Sequence, residues 1–419
     1  MKKYVFLLVF FIGIKSFAQE IQQLTLDETY ALARKNYPAI QRQALIKKTT
    51  AIQLDNLQKG FLPQIQLNAQ ATYQSDVTKI PVMIPGFDIE NPSKDQYKIV
   101  ADLSQMIYDG GQIKARKEMQ QLSASVDQQN VEVELYQLKD RINQIFLSIL
   151  YLDAQARQIN LVEADLQTGI KKVQAQVDNG VAFRSNLNLL KAELLTTAQR
   201  GIDIESSRKG LINVLAVFLG KDISQNVVLL QPAVNILEKQ ITRPELKLFD
   251  EQKKMINQQN ELIDKKNLPT ASVFLQGGYG RPALNLLKND FDFYYIGGLR
   301  VNWALSRLYT RKKEKEQVEI NKKMLDLQEE TFLLNTNTEL KKQAATIDKL
   351  QDLIVSDQEI IALRKSVTDA AKAQLDNGVI TANDFVKEVN AEDQARQNLL
   401  THQIQLLQAK INYNTLAGK

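Results

Sequence analysis

One stretch of the sequence, residues 299–377, contains neither glycine nor proline. Both residue types interrupt helices, so their absence favours a single helix from about Leu305 to Leu375. Such a helix has roughly seventy residues and, at ~1.5 Å per residue, extends on the order of 100 Å. Helices of globular domains average about twelve residues. The sequence therefore predicts long helical hairpins or coiled coils rather than an ordinary compact domain.

A second stretch, from about Ile113 to Val177, predicts a helix of similar length and carries a heptad pattern. Apolar residues recur there at spacings of four and three, and Glu163 is the only polar member of the series. A sustained 3.5-residue repeat is typical of coiled-coil packing. The apolar members are Val131, Leu135, Leu138, Ile142, Ile145, Ile149, Leu152, Ala156, Ile159, Leu166, Ile170, Val173 and Val177.

The chain also contains an internal repeat. Asp178-Asn179-Gly180-Val181 recurs 198 residues later as Asp376-Asn377-Gly378-Val379, and Leu62-Pro63 recurs 206 residues later as Leu268-Pro269. The two offsets differ by eight, which predicts a longer loop in the first repeat, at Asp76–Gln96. Surface loops tolerate extra length at little energetic cost. A tandem duplication explains the agreement at both offsets.

The duplication predicts a domain organisation in four parts. They are a signal peptide (1–18), a first structural repeat (19–221), an inter-repeat linker or equatorial segment (222–243) and a second structural repeat (244–419). Each repeat begins with a helix. The first repeat then has strands at about 63–75 and 96–107 and helices at about 111–177 and 185–219. The second has strands at about 269–280 and 291–304 and helices at about 305–375 and 383–416.

The first eighteen residues have the pattern of a secretory signal peptide. Lys2 and Lys3 precede the apolar run Tyr4–Ile14, and Ser16-Phe17-Ala18 supplies small residues at a cleavage site. The run is too short to span a bilayer. Its removal would lower the formal charge from +5 to +2, and no dense basic patch with interleaved aromatic residues follows. We therefore expect no nucleic-acid partner.

The predicted strands alternate apolar and polar residues, as in Ile65–Gln74. Strands of ten to twelve residues suit a tilted, membrane-spanning strand, but a sheet half-buried on helices gives the same alternation. Four strands cannot close a wall in lipid, so lipid-facing strands would require several chains, and three would supply twelve. Aromatic residues lie toward the strand ends: Tyr73, Tyr97, Tyr279, Phe291, Tyr295 and Trp303.

In their order and spacing, these features resemble the TolC-like outer membrane efflux proteins, also called outer membrane factors. The residues that carry the resemblance are the Leu-Pro pairs, the segment Met106-Ile107-Tyr108-Asp109-Gly110-Gly111 and the paired Asn-Gly-Val turns. The resemblance implies an α+β membrane protein: a homotrimer whose twelve-stranded β-barrel in the outer membrane of a Gram-negative bacterium continues into a twelve-helix α-barrel tunnel with a large periplasmic portion. It also implies a periplasmic adaptor (membrane fusion) protein and an inner-membrane transporter as partners.

The resemblance further implies which residues form the periplasmic tip. Docking of the adaptor would involve Asn179, Gly180, Val181, Asn377, Gly378 and Val379, although simple helix reversal explains the same turns. Asp384 and Glu388 are candidates for a constriction, since three copies would place carboxylates around one axis. Asp384 also fits an ordinary first-turn acid favoured by the helix dipole. The first repeat has Asn186 at the matching position.

No catalytic or cofactor motif is present in the sequence. It contains no cysteine and one histidine, His402, and it lacks a Gly-rich phosphate loop and a nucleophile elbow. We expect His402 at the surface, no enzyme activity, no cofactor and no metal site. The favoured function is the passive channel-tunnel of a tripartite efflux or type I secretion system. The alternative is a periplasmic coiled-coil adaptor or scaffold, and a metal-specific exporter has little support because soft ligands are scarce.

Overall fold

The computed structural model describes residues 23–78, 91–236, 240–286 and 288–419. The expected signal peptide lies outside the described residues, as does most of the predicted longer loop of the first repeat. The helices are α1 (Leu26–Asn36), α2 (Ala39–Gln58), α3 (Gln112–Asp178), α4 (Arg184–Leu219), α5 (Pro244–Lys266), α6 (Leu308–Asp376) and α7 (Ala382–Ala417). The strands are β1 (Gln23–Leu24), β2 (Gln64–Tyr73), β3 (Asp95–Tyr108), β4 (Val228–Leu229), β5 (Thr270–Arg281) and β6 (Asp292–Asn302).

Two helices have the unusual length that the absence of helix breakers predicts. Helix α3 has 67 residues and α6 has 69. The strands of the sheet and the helices after them begin and end within three residues of the predicted bounds. Helix α6 starts later than predicted because Leu305–Arg307 form a 3-10 turn. The duplication itself stays a prediction.

The chain divides into two compact units. We call residues 38–136, 239–340 and 416–419 the sheet unit, and residues 1–37, 137–238 and 341–415 the hairpin unit, in each case as far as the structure describes them. Each unit takes segments from both predicted repeats, because α3 and α6 contribute residues to both units. The compact units therefore do not coincide with the repeats.

The sheet unit is built on one antiparallel sheet with the strand order β2-β3-β5-β6. The helices next to these strands lie in the same order. Arg42 of α2 forms an ion pair with Glu134 of α3 at 2.6 Å. Gln258 of α5 donates a hydrogen bond to Glu118 of α3 at 2.9 Å, and Arg311 of α6 pairs with Asp264 of α5 at 2.7 Å.

The turn from β3 into α3 explains the Asp-Gly-Gly motif. Asp109 accepts hydrogen bonds from the backbone N–H groups of Gly111 at 2.8 Å and Ile113 at 2.5 Å, so it caps the first turn of α3. Gly110 has a φ of 68°, in the left-handed region. A Cβ atom there would lie 2.9 Å from the Cβ of Leu268. The close approach of the two predicted repeats at this point therefore requires glycine.

The hairpin unit contains the helical hairpins and two hydrophobic clusters. The larger cluster is centred on fully buried side chains of α3 and α4, including Ile142, Phe146 and Leu215, and is completed by α1, α7 and the parallel pair β1–β4. The smaller cluster lies near the hairpin turns and includes Leu166, Leu190 and Phe385. Buried apolar contacts of this kind hold the helices together.

Candidate functional site

The sheet exposes its apolar face. Since side chains alternate along a strand, the observed register brings the apolar residues of all four strands onto one face. These side chains are exposed in the chain as described, up to 81% for Phe293 and 77% for Leu299. The larger members are Ile65, Leu67, Tyr97, Ile99, Leu103, Val273, Leu275, Tyr279, Phe293, Tyr295, Leu299 and Val301. A patch of this size marks a surface that is covered in the working protein.

The opposite face of the sheet carries a polar network. Asp102 on β3 accepts hydrogen bonds from Asn68 on β2 at 3.0 Å and from Gln276 on β5 at 2.7 Å. The guanidinium of Arg300 lies 4.6 Å from the ring centre of Phe274. A sheet that packs on its own core buries its apolar face. This sheet instead leaves its apolar face exposed, and its polar face carries the hydrogen bonds between side chains.

Aromatic side chains lie at both ends of the apolar face. At the loop end, the ring of Tyr279 stacks on Phe291 at 5.6 Å and contacts Phe293 at 4.6 Å. At the helix end, Trp303 is 54% exposed and donates a hydrogen bond from Nε1 to the carbonyl of Asn267 at 3.0 Å. Tyr295 lies further into the sheet, opposite Gly277. Two bands of aromatic rings around an apolar belt are typical of outer-membrane strands.

Each long hairpin turns through the same left-handed glycine cap. Gly180 and Gly378 have φ values of 73° and 68°. The N–H of Val181 donates to the carbonyl of Gln176 at 2.8 Å, and the N–H of Val379 donates to that of Gln374 at 2.8 Å. This 6→1 bond, with the 5→2 bond of each glycine, is the Schellman arrangement. Asn179 and Asn377 each bind a carbonyl of the preceding turn through Nδ2.

The structure brings the two turns together within the hairpin unit. Nε2 of Gln176 donates to the carbonyl of Leu375 at 3.0 Å and to that of Asp376 at 3.2 Å. Lys372 of α6 pairs with Asp165 of α3 at 3.2 Å. The predicted docking residues thus share one surface, on which Val181 and Val379 are each 71% exposed.

Phe183 also lies on this surface, and sequence reasoning missed it. Its side chain is 80% exposed at the N-cap of α4, where it makes no capping bond. The equivalent residue of the second repeat, Thr381, caps α7: its hydroxyl accepts from the N–H of Asp384 at 3.3 Å. Aligning the two repeats would have placed a bulky aromatic residue opposite a capping threonine, which is the signal that could have found it.

Both predicted constriction residues are bonded within the chain. Asp384 accepts from the hydroxyl and the backbone N–H of Thr381, and these bonds lower the pKa of its carboxyl group. Glu388 lies 3.5 Å from the guanidinium of Arg364 and is half-buried. The capping role of Asp384 is what a first-turn acid predicts. The constriction stays a prediction.

The one histidine is not the plain surface residue that we expected. Nδ1 of His402 lies 2.6 Å from Oδ2 of Asp357, a carboxylate on α6 that is 8% exposed. The pair joins α7 to α6. Across the described part of the chain, no three histidine, aspartate or glutamate side chains are grouped so that they could hold a metal ion. None of the helices in the described ranges has an apolar stretch of the length that crossing a bilayer takes.

Comparisons with known proteins agree with this geometry. Residues 29–221 match the sequence model of the outer membrane efflux protein family. The solved outer membrane protein VceC from Vibrio cholerae is similar with a TM-score of 0.66 at 13% identity, over 94% of this chain and 96% of that chain. The Campylobacter jejuni CmeC outer membrane channel has a TM-score of 0.65 at 14% identity, over 94% and 85%. No curated protein sequence matches the chain.

The fold is therefore that of outer-membrane channel proteins with long helical hairpins. Residues 29–221, which span most of the first repeat, therefore carry the sequence pattern of the outer membrane efflux protein family.

Proposed function

We propose that the protein is the passive outer-membrane channel-tunnel of a tripartite efflux or type I secretion system. Three copies would form a twelve-stranded wall in the outer membrane of a Gram-negative bacterium and a helical tunnel into the periplasm. The single observation that carries this proposal is the exposed apolar face of the sheet, opposite a polar face. Lipid is the solvent that stabilises such a face, and the polar face then lines water.

The edges of the sheet support assembly from several copies. Strands β2 and β6 are the edge strands, and each pairs on one side only among the described residues. An unpaired backbone N–H or C=O group in lipid costs several kcal/mol. A cost of this size would cancel most of the free energy of unfolding of a typical domain. Because neighbouring strands alternate in direction, β6 of one copy can pair antiparallel with β2 of the next. A barrel of twelve strands is wide enough for a water-filled interior, whereas the interior of an eight-stranded barrel is filled by side chains.

The helices at the same edges of the sheet unit carry exposed apolar stripes. On α2, Leu45 and Ile52 are seven residues apart and 61% and 53% exposed. On α6, Ile320, Leu327 and Leu334 are also spaced by seven and are 51% to 66% exposed. A seven-residue spacing is the coiled-coil repeat. Contact between α6 of one copy and α2 of the next would bury both stripes.

The hairpin unit supports the same assembly. Its helix α4 exposes Leu195 and Ile202, at 68% and 66%, and the last part of α6 exposes Leu363 at 71%. The joined turns would meet the periplasmic adaptor through Asn179, Gly180, Val181, Asn377, Gly378 and Val379. The adaptor links the channel to an inner-membrane transporter, which supplies the energy for export.

Fractionation of cells that express the full chain tests this proposal. We expect the protein in the outer-membrane fraction, as a species that runs as a trimer on unheated gels and as a monomer after boiling. A periplasmic adaptor or scaffold would instead be released by osmotic shock and would show no heat-modifiable trimer. Recovery of the chain in the osmotic-shock fluid would overturn the proposal.

A further inference from the structure

We propose that each copy contains an anion-binding cavity that takes a carboxylate or phosphate group, at the point where the strands of the sheet unit lead into its helices. The cavity has a volume of about 480 Å³. The polar side chains that line it come from α2, the turn between β3 and α3, α3, β5, β6 and the 3-10 turn before α6. They are Asn56, Asp109, Gln112, Arg116, Thr270, Asn302 and Arg307.

The charge of the lining favours an anion. Arg116 has no carboxylate partner among the described residues, and Arg307 donates from Nη1 to the backbone carbonyl of Lys266 at 3.0 Å rather than to an acid. Asp109 is the one acidic residue of the described lining, and it is only 8% exposed. Both of its oxygens accept N–H groups at the start of α3. Two guanidinium groups therefore remain without an opposing carboxylate.

The chemistry of the donors fits an oxyanion better than a simple halide. A guanidinium group presents parallel N–H donors that match two oxygens of a carboxylate or phosphate. Asn56, Gln112 and Asn302 add amide donors to the same lining. A ligand with several oxygens can use both kinds of donor at once, whereas chloride cannot bind in a bidentate manner.

Two residues of the lining, Thr270 and Asn302, lie on the polar face of the sheet. Thr270 and Asn302 pair with each other in the register, and along β5 the side chain of Thr270 shares a face with that of Gln276, which binds Asp102. If the proposed function holds, this face lines the conduit, and three copies place six arginines around the path. Belts of arginine favour anions in pores. Binding within one copy does not depend on that assembly.

Binding is tested on the purified full-length protein in detergent. Inorganic phosphate is titrated at constant ionic strength set by sodium chloride, and binding is followed by calorimetry and by the shift in melting temperature. The variants are Arg116→Gln, Arg307→Gln and the double variant. Lys312→Gln is the matched control, because Lys312 is an exposed α6 lysine that does not line the cavity.

We expect the double variant to lose about tenfold or more in phosphate affinity, each single variant to lose less, and the control to bind like the parent protein. Equal weakening by Lys312→Gln would show non-specific attraction and would overturn the site. So would an unchanged affinity in the double variant.

Two further titrations, with citrate and with short-chain phosphatidylglycerol, assign the source of the anion. Binding of phosphate or citrate through the two arginines identifies a soluble anion, and arginine-dependent binding of phosphatidylglycerol alone identifies a lipid headgroup. Both results support the site. An absence of arginine-dependent binding in all three titrations contradicts it.

The same samples are run on unheated gels to separate this inference from the proposed function. A trimer without arginine-dependent binding contradicts the cavity and leaves the conduit intact. A monomer with arginine-dependent binding contradicts the conduit and leaves the cavity intact.

Discussion

The hairpin unit and the sheet unit differ in the burial of their apolar side chains. In the hairpin unit, Ile142, Phe146 and Leu215 are fully buried between helices. In the sheet unit, Leu67 and Leu299 are 73% and 77% exposed, while polar groups meet on the other face. Under the proposed function, one chain is stabilised in two solvents: its hairpins by exclusion of water from a core, and its sheet by contact with lipid.

The largest expected effect comes from removing a buried ring in the hairpin unit. Phe146→Ala should lower the free energy of unfolding by about 3–5 kcal/mol, because it leaves a cavity in the larger cluster. Leu299→Ala should lower it by less than about 1 kcal/mol in detergent, since its side chain is exposed. Denaturant unfolding followed by circular dichroism measures both. A similar loss in the two variants would contradict the contrast between the units.

The next largest effect is expected when a charge is placed on the apolar face of the sheet, with the same charge on the polar face as the comparison. Leu67→Lys should destabilise the membrane-inserted protein by about 2–4 kcal/mol, because lysine would face lipid. Gln66→Lys is the matched control one residue away on the polar face and should be tolerated. The amount of heat-modifiable trimer in outer membranes measures the outcome. If both variants assembled equally well, the sheet would not face lipid.

The two hairpin turns offer a finer comparison. Thr381→Ala should cost about 1 kcal/mol, because it removes the side-chain cap of α7. Phe183→Ala should leave stability unchanged to within ~0.5 kcal/mol, since this exposed ring caps nothing. Under the proposed function, Phe183→Ala should nevertheless reduce efflux through weaker adaptor docking, whereas Thr381→Ala should reduce it less. Melting curves and an export assay separate the two roles.

The smallest effect is the pH dependence of the second turn. Hydrogen bonds from Thr381 lower the pKa of Asp384 below its ordinary value of 3.8. A carboxyl group with a lowered folded-state pKa contributes stability above its unfolded pKa and loses that contribution as the pH falls through the folded pKa. The difference in melting temperature between the parent protein and Asp384→Ala should therefore shrink below about pH 4. A difference that does not change with pH would contradict this cap.

The elements of the fold that the sequence predicted follow from local rules. The absence of glycine and proline over 299–377 predicts α6 because backbone propensity acts residue by residue. The heptad predicted burial of Val131, Ile142 and Leu166, but it missed Phe146. A straight helix drifts by about 20° per heptad against a 3.5 repeat, so its buried stripe does not follow one pair of heptad positions.

The features that the sequence did not predict depend on contacts between residues that are far apart in the chain. His402 meets Asp357 and Gln176 meets Leu375 only because two helices are packed together, and neither pair has a signal in the sequence. Phe183 became a candidate only when its exposure was known. Arg116 and Arg307 line one cavity because the sheet order places β3 and β6 on either side of β5. The turn residues were found because left-handed glycine caps have a strong local signature.

The most direct test of the central claim is the mass of the full-length protein extracted from outer membranes in mild detergent, by native mass spectrometry. We predict a mass of three copies of the mature chain, with Leu67 and Leu299 in contact with detergent or lipid. A stable single copy whose apolar sheet face is covered by its own helices would contradict the account.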